Sequence, residues 1–158
     1  MNKIFYVDSP REHYQCDAVV VGCFDHRFQT GFAKFLKRSG IATSDQIRLG
    51  GGAKCLASPE HDGESELVLD QIRKSIRLHG TKLAILMVHS DCGAYGGLAG
   101  AFAGDTRAES EHHEEELRRA AERLRKAIPA IDVRAYFVDF EGVWAVETGE
   151  PKDRGASC

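Results

Sequence analysis

The sequence predicts an α/β domain: a mainly parallel central sheet flanked by helices, with a C-terminal antiparallel hairpin strand. Three observations predict it. Short β-branched or aliphatic runs alternate with segments whose apolar residues recur at helical spacing, the pattern of strands joined by crossover helices. Residues 83–88 (Leu-Ala-Ile-Leu-Met-Val) form the most apolar run in the chain, and at six residues they fit a central strand rather than a helix. The chain then closes on a turn at Glu141-Gly142 followed by one more extended segment, a hairpin. A length of 158 residues suits one domain spanning the whole chain, 1–158, with its core at about 18–148 and a polar, loose tail at 149–158.

Each element has its own warrant. Residues 18–21 (Ala-Val-Val-Val) end at Gly22 and read as a buried parallel strand. Phe28, Phe32, Phe35 and Leu36 then mark a helix that Gly40 terminates. Residues 45–49 are a weaker strand, stopped by Gly50-Gly51-Gly52, and 53–63 read as loop. Val68, Leu69, Ile72 and Ile76 make one stripe of a helix over 64–79, ended by Gly80. Strand 83–88 runs into a glycine-rich loop at 89–97. Thr106 with Glu109 has capping-box spacing and opens a charged helix to about Ala127, with Leu117, Ala120, Ala121, Leu124 and Ile128 inward. The cluster from Glu111 to Glu116, which contains His112 and His113, reads as a solvated face of that helix. Pro129 ends the helix, and strand 132–138 follows.

Composition bounds the function. A net charge of −3 argues against a nucleic-acid binder or an anionic-membrane binder, either of which needs a basic surface. No apolar run approaches the roughly 20 residues of a membrane span. Residues 1–11 carry Asp8, Ser9, Pro10 and Arg11 where a secretory signal would be apolar, so the expected location is cytoplasmic. The five cysteines, Cys16, Cys23, Cys55, Cys92 and Cys158, are odd in number. That disfavours a disulfide framework and raises metal binding or thiol chemistry, against the plainer role of small buried hydrophobes.

In open parallel sheets ligands sit beyond the carboxyl ends of strands. Two such ends carry unusual chemistry: Cys23-Phe24-Asp25-His26-Arg27 and His89-Ser90-Asp91-Cys92-Gly93. Cys23, His89 and Cys92 supply two thiolates and an imidazole, a strong zinc set. Three protein ligands leave a fourth position for water or substrate; Cys55 is the alternative fourth ligand. Asp25 and Arg27 alternate with Cys23, so an extended chain would point all three to one side. Asp25 can ligate a metal or accept a hydrogen bond beside it, and Arg27 can clamp that carboxylate with paired bonds.

Taken together, Cys-x-Asp-x-Arg after the first core strand and His-x-x-Cys-Gly after a later one resemble the β-class carbonic anhydrases, over roughly residues 18–148. The resemblance implies a zinc enzyme that interconverts carbon dioxide and bicarbonate by a zinc-bound hydroxide. Cys23, His89 and Cys92 would ligate Zn2+. Asp25 would orient the hydroxide or occupy the fourth position in a closed form, and Arg27 would hold Asp25. Gly93 and, more weakly, Gln15 would face substrate. The family works as homodimers or larger homo-oligomers. Four features depart from its pattern: the short N-terminal segment, Arg48-Leu49-Gly50-Gly51-Gly52-Ala53 where an asparagine-containing stretch is usual, Gln15 one residue off the usual offset, and bulky Phe24 and His26 inside the first motif. They leave three alternatives: a related zinc hydrolase acting on carbonyl sulfide or carbon disulfide, a non-catalytic zinc-binding homologue, and a thiol or redox role for Cys23 and Cys92. His26, His61, His112 and His113 are candidate proton shuttles by their ordinary pKa.

Overall fold

The computed structural model describes residues 1–61 and 63–149. Five strands, β1 (Ala18–Cys23), β2 (Ser44–Leu49), β3 (Leu83–His89), β4 (Asp132–Val138) and β5 (Val143–Val146), form one sheet in the order β2-β1-β3-β4-β5. β2, β1, β3 and β4 are mutually parallel, and β5 returns antiparallel to β4. The predicted mainly parallel sheet with a closing hairpin is therefore the observed one. From β1 the chain crosses first to one neighbour, β2, and later to the other, β3. The carboxyl ends of β1 and β3 therefore flank a topological switch point.

The helices are α1 (His26–Arg38), α2 (Lys54–Ala57), α3 (Glu64–His79), α4 (Gly97–Ala101) and α5 (Thr106–Ala127). Alternation along β1 and β3 sorts their side chains to two faces. Val19, Val21, Leu86 and Val88 pack with α3 and α5 through Ile72, Leu117 and Leu124. Ala18, Val20, Ile85 and Met87 pack with α1 through Phe28, Phe32 and Leu36. Both faces of the central strands are thus covered, which is why their sequences show no polar alternation. β2 and β5 are the sheet edges and are only partly buried, in keeping with the weaker pattern of 45–49.

Three sequence expectations need correction. The stretch 53–63 is not all loop, because Lys54–Ala57 form the single-turn helix α2, which buries Cys55 and Leu56. Thr106 is not the cap of α5: Asp105 caps it, accepting from the Arg107 and Ala108 N–H groups, and Glu109 turns inward instead of closing a box. The charged cluster is not a solvated face throughout, since His113 and Glu116 are buried. Apart from Gly149, the tail expected at 149–158 lies outside the described residues, as does Cys158.

Candidate metal centre

Cys23 is the last residue of β1 and His89 the last of β3, so two adjacent parallel strands present them at the same end of the sheet. Cys92 follows in the turn after β3. One ligand atom from each of the three lies within 4.8 Å of the other two, and all three side chains are buried. His89 Nδ1 donates to the Ser90 carbonyl at 2.8 Å. That bond fixes the tautomer and leaves the Nε2 lone pair facing the two sulfurs. Nε2 is buried with no hydrogen-bond partner. An orphaned imidazole nitrogen beside two thiols is costly unless something binds it. A borderline-soft divalent ion such as zinc fits this donor set.

The two thiols are electrostatically unequal. The bond from Cys92 holds the Cys23 thiol well below the ordinary thiol range, while the same partnership and burial push Cys92 up. The pair thus favours ionisation at Cys23 over Cys92. The Asp25 N–H favours the Cys23 thiolate, and the Ala94 and Gly51 N–H groups favour that of Cys92. The backbone around the cluster is arranged for negative sulfur.

Asp25 does not continue the strand. It is the N-cap of α1, and its carboxylate accepts the Arg27 N–H at 2.9 Å. Arg27 then folds back over the first turn. Its Nε donates to both carboxylate oxygens at 3.1 Å and its Nη2 to Oδ2 at 2.7 Å. Helix capping, rather than strand alternation, brings Asp25 and Arg27 together. These bonds from Arg27 hold the Asp25 carboxyl at about 2. Asp25 Oδ2 lies 3.9 Å from His89 Nε2, at the rim of the cluster.

Arg27 has a second carboxylate that sequence reasoning did not assign. Its Nη1 donates to Asp91 Oδ2 at 2.9 Å and its Nη2 to the Asp91 carbonyl at 3.1 Å. The bond from Arg27 also lowers the Asp91 carboxyl. Nothing in the spacing of His89 and Cys92 singles out either of the two residues between them.

These groups open onto one cavity of about 670 Å3, with Phe24, Gly50 and Gly51 as an opposing wall and Gly93 at its edge. The glycine run has a steric reason. Gly52 has φ +59, and a Cβ there would sit 2.3 Å from the Met87 carbonyl oxygen and 2.9 Å from the Cys23 nitrogen. Only a residue without a side chain lets this loop lie against the ends of β1 and β3.

The remaining candidates are dispersed. Cys55 is buried and its thiol donates to the Gly52 carbonyl at 3.3 Å; burial pushes it up to about 12, and it does not join the cluster. Gln15 is exposed before β1, at the opposite end of that strand from Cys23, and its carbonyl accepts the Thr43 hydroxyl. His113 is enclosed, and burial drops it to about 4, which removes it from exchange with buffer near neutral pH. His61 lines a different cavity, beside α3 and Arg123. His26 is exposed next to Asp25.

Comparison with known proteins agrees with this architecture. Residues 13–148 match the family model described as "Putative carbonic anhydrase". An uncharacterized protein of Rickettsia conorii is 24% identical over 147 residues, covering 89% of this chain and 79% of that protein. Among solved structures, the β-carbonic anhydrase isoform I of Trichomonas vaginalis superposes with a TM-score of 0.61 at 14% identity, over 92% of this chain and 90% of that one. The carbonic anhydrase of Streptococcus mutans gives 0.60 at 17% identity, over 89% and 88%. The β-carbonic anhydrase CafA of Aspergillus fumigatus gives 0.57 at 16% identity, over 88% and 79%. At these identities the superpositions establish the fold.

Proposed function

The chain belongs to the carbonic anhydrase family of that match, as a divergent member with the β-class fold, and from this premise we propose that it is a zinc enzyme hydrating carbon dioxide reversibly to bicarbonate. One observation carries the reading: the Cys23–His89–Cys92 cluster, with its orphaned Nε2, shares a cavity with a carboxylate held by an arginine. Cys23, His89 and Cys92 would hold the ion, which supplies Lewis acidity and lowers the pKa of a bound water.

The chain's own residues do the rest. The Nδ1 bond of His89 keeps Nε2 aimed into the cluster. Asp25, ionised because Arg27 holds it, accepts a hydrogen bond from the attacking water and orients its lone pair toward the carbon of the substrate. Arg27 keeps Asp25 turned to that task rather than onto the ligands. The wall of Gly50, Gly51 and Phe24 leaves room for a small linear substrate. The released proton passes to buffer, with exposed His26 the nearest candidate carrier in sequence. Two thiolates offset the charge of the ion, so activity rises toward alkaline pH; a flat profile would oppose this.

That same wall offers substrate no donor side chain, which favours carbonyl sulfide as the second reading. Competition between carbon dioxide and carbonyl sulfide on zinc-loaded protein separates the two: the preferred substrate has the higher kcat/KM. We extend the proposal to a homo-oligomer, most simply a homodimer. Ile4, Phe5, Tyr6 and Val7 are all exposed on the N-terminal segment, an apolar run that a second copy would cover. Light scattering of the full chain tests this. Among the described residues no helix is long and apolar enough to cross a membrane.

A further inference from the structure

Glu109, His113 and Glu116 sit at i, i+4 and i+7 of α5, on one helix face, and each is at most 1% exposed. Polar side chains there are costly unless partnered. The two carboxylates find partners in the loops around the metal cluster, and Glu116 also accepts from Arg119 of its own helix. Glu116 accepts the Ser58 hydroxyl, just after α2, and the Tyr95 hydroxyl, just after Cys92. Glu109 accepts the Ser90 hydroxyl through one oxygen and the Asp91 N–H, at 2.7 Å, through the other.

Ser90 and Asp91 are the two residues between His89 and Cys92. Asp91 has φ +55, a left-handed conformation that a non-glycine residue keeps only when its surroundings hold it. Three contacts do so: Glu109 takes its N–H, Leu98 N–H binds its Oδ1 at 3.0 Å, and Arg27 binds its Oδ2. Arg27 in turn grips Asp25. A connected path therefore runs from Glu109 through Asp91 and Arg27 to Asp25, across 84 positions of sequence between its two ends, read from their residue numbers.

We propose that Glu109 is a positioning residue: it fixes the Asp91 turn, and through Asp91 it sets the Arg27–Asp25 clamp. The assignment of that clamp to carbon dioxide hydration rests on the reading above; the clamp itself is a matter of geometry. A hydroxyl and an N–H converge on the two oxygens of Glu109. Gln keeps an acceptor for Asp91 and turns its amide N–H2 to the Ser90 hydroxyl, which can accept instead. Ala satisfies neither donor.

The test uses full-length protein carrying one zinc per chain. It compares wild type with Glu109→Ala, Glu109→Gln, Glu109→Asp, Asp91→Ala and the double variant Glu109→Ala/Asp91→Ala. The first readout is the 15N NMR signal of the Arg27 Nε–H, which its bonds to Asp25 shift and slow in exchange. The second is kcat for carbon dioxide hydration. Glu109→Ala is expected to speed Arg27 Nε–H exchange and cut kcat about tenfold or more, with KM little changed, while Glu109→Gln stays within about threefold of wild type. In the Asp91→Ala background, removing Glu109 adds less than about twofold, because both act on one path. If Glu109→Ala does not fold, Glu109→Asp decides: it keeps the charge but retracts the carboxylate, so it perturbs Arg27 more than Glu109→Gln does. An unchanged Arg27 signal in Glu109→Ala, or in Glu109→Asp where that variant decides, overturns the proposal, as does full additivity with Asp91→Ala. If wild type hydrates no carbon dioxide but the Arg27 signal responds as stated, the hydration reading fails and the positioning role stands.

Discussion

Replacing Gly52 by Ala tests how the glycine run seats the metal loop. The added Cβ meets the Met87 carbonyl oxygen at 2.3 Å and the Cys23 nitrogen at 2.9 Å, both backbone atoms of the sheet, and no side-chain rotation relieves either contact. Alanine at φ +59 also costs about 1–2 kcal/mol for its left-handed conformation. The Met87 carbonyl accepts the Ala53 N–H at 3.1 Å, and pushing the loop off that oxygen leaves a buried donor unpaired, for about 1–3 kcal/mol more. The expected destabilisation is therefore about 2–5 kcal/mol, or a Tm lower by roughly 5–15 °C for a domain of this size. Thermal unfolding followed by circular dichroism measures it. Because the clash falls on the Cys23 nitrogen, zinc affinity in a chelator competition should weaken as well. Gly31→Ala is the internal control: it sits exposed inside α1 with nothing within 4 Å of a new Cβ, and should stabilise by about 0.5–1 kcal/mol. A Tm for Gly52→Ala within about 2 °C of wild type would refute the steric argument.

Other outcomes follow from the same geometry. Cys92→Ala should lose zinc on dialysis, read by metal analysis, because Cys23 and His89 alone make a weak site. Asp25→Asn should keep one zinc per chain and lose most turnover, since an amide accepts poorly and loses the charge that Arg27 holds; normal turnover would remove Asp25 from the reaction. Metal-free protein should alkylate at Cys23 with iodoacetamide near neutral pH, Cys55 should stay unmodified, and zinc should suppress the reaction, all read by peptide mass spectrometry. His113 is held neutral by burial, with its pKa lowered from 6.5 to about 4. Above pH 6.5 its contribution to stability is intact, and as pH falls from 6.5 toward 4 the unfolded chain takes up the proton that the folded one refuses, costing about 3 kcal/mol. His113→Phe, which keeps a ring against Tyr95 and Phe137, should flatten urea-derived stability over that window; an unchanged slope would contradict the assignment.

What could be read from sequence depended on whether the decisive contacts were local. β1 and β3 were legible because strands covered on both faces are written as unbroken apolar runs. Cys23, His89 and Cys92 were legible because parallel topology places the ends of neighbouring strands together, so position and residue type sufficed to suggest a common ion. The α2 turn was not legible, since four residues carry no period. The inward turn of Glu109, His113 and Glu116 was hidden for another reason. A helix segment rich in Glu and His looks solvated until Ser58, Ser90, Asp91 and Tyr95 are known to lie opposite it, and those partners come from distant loops. Asp91 was missed likewise: its role depends on Arg27, which is 64 residues away in sequence.

The most direct measurement is stopped-flow carbon dioxide hydration at about pH 8.5, on metal-free protein titrated with zinc. The account predicts a rate far above buffer and free-zinc controls that climbs in proportion to zinc and levels off at one ion per chain. Firm binding of one zinc with no rate above those controls would contradict it.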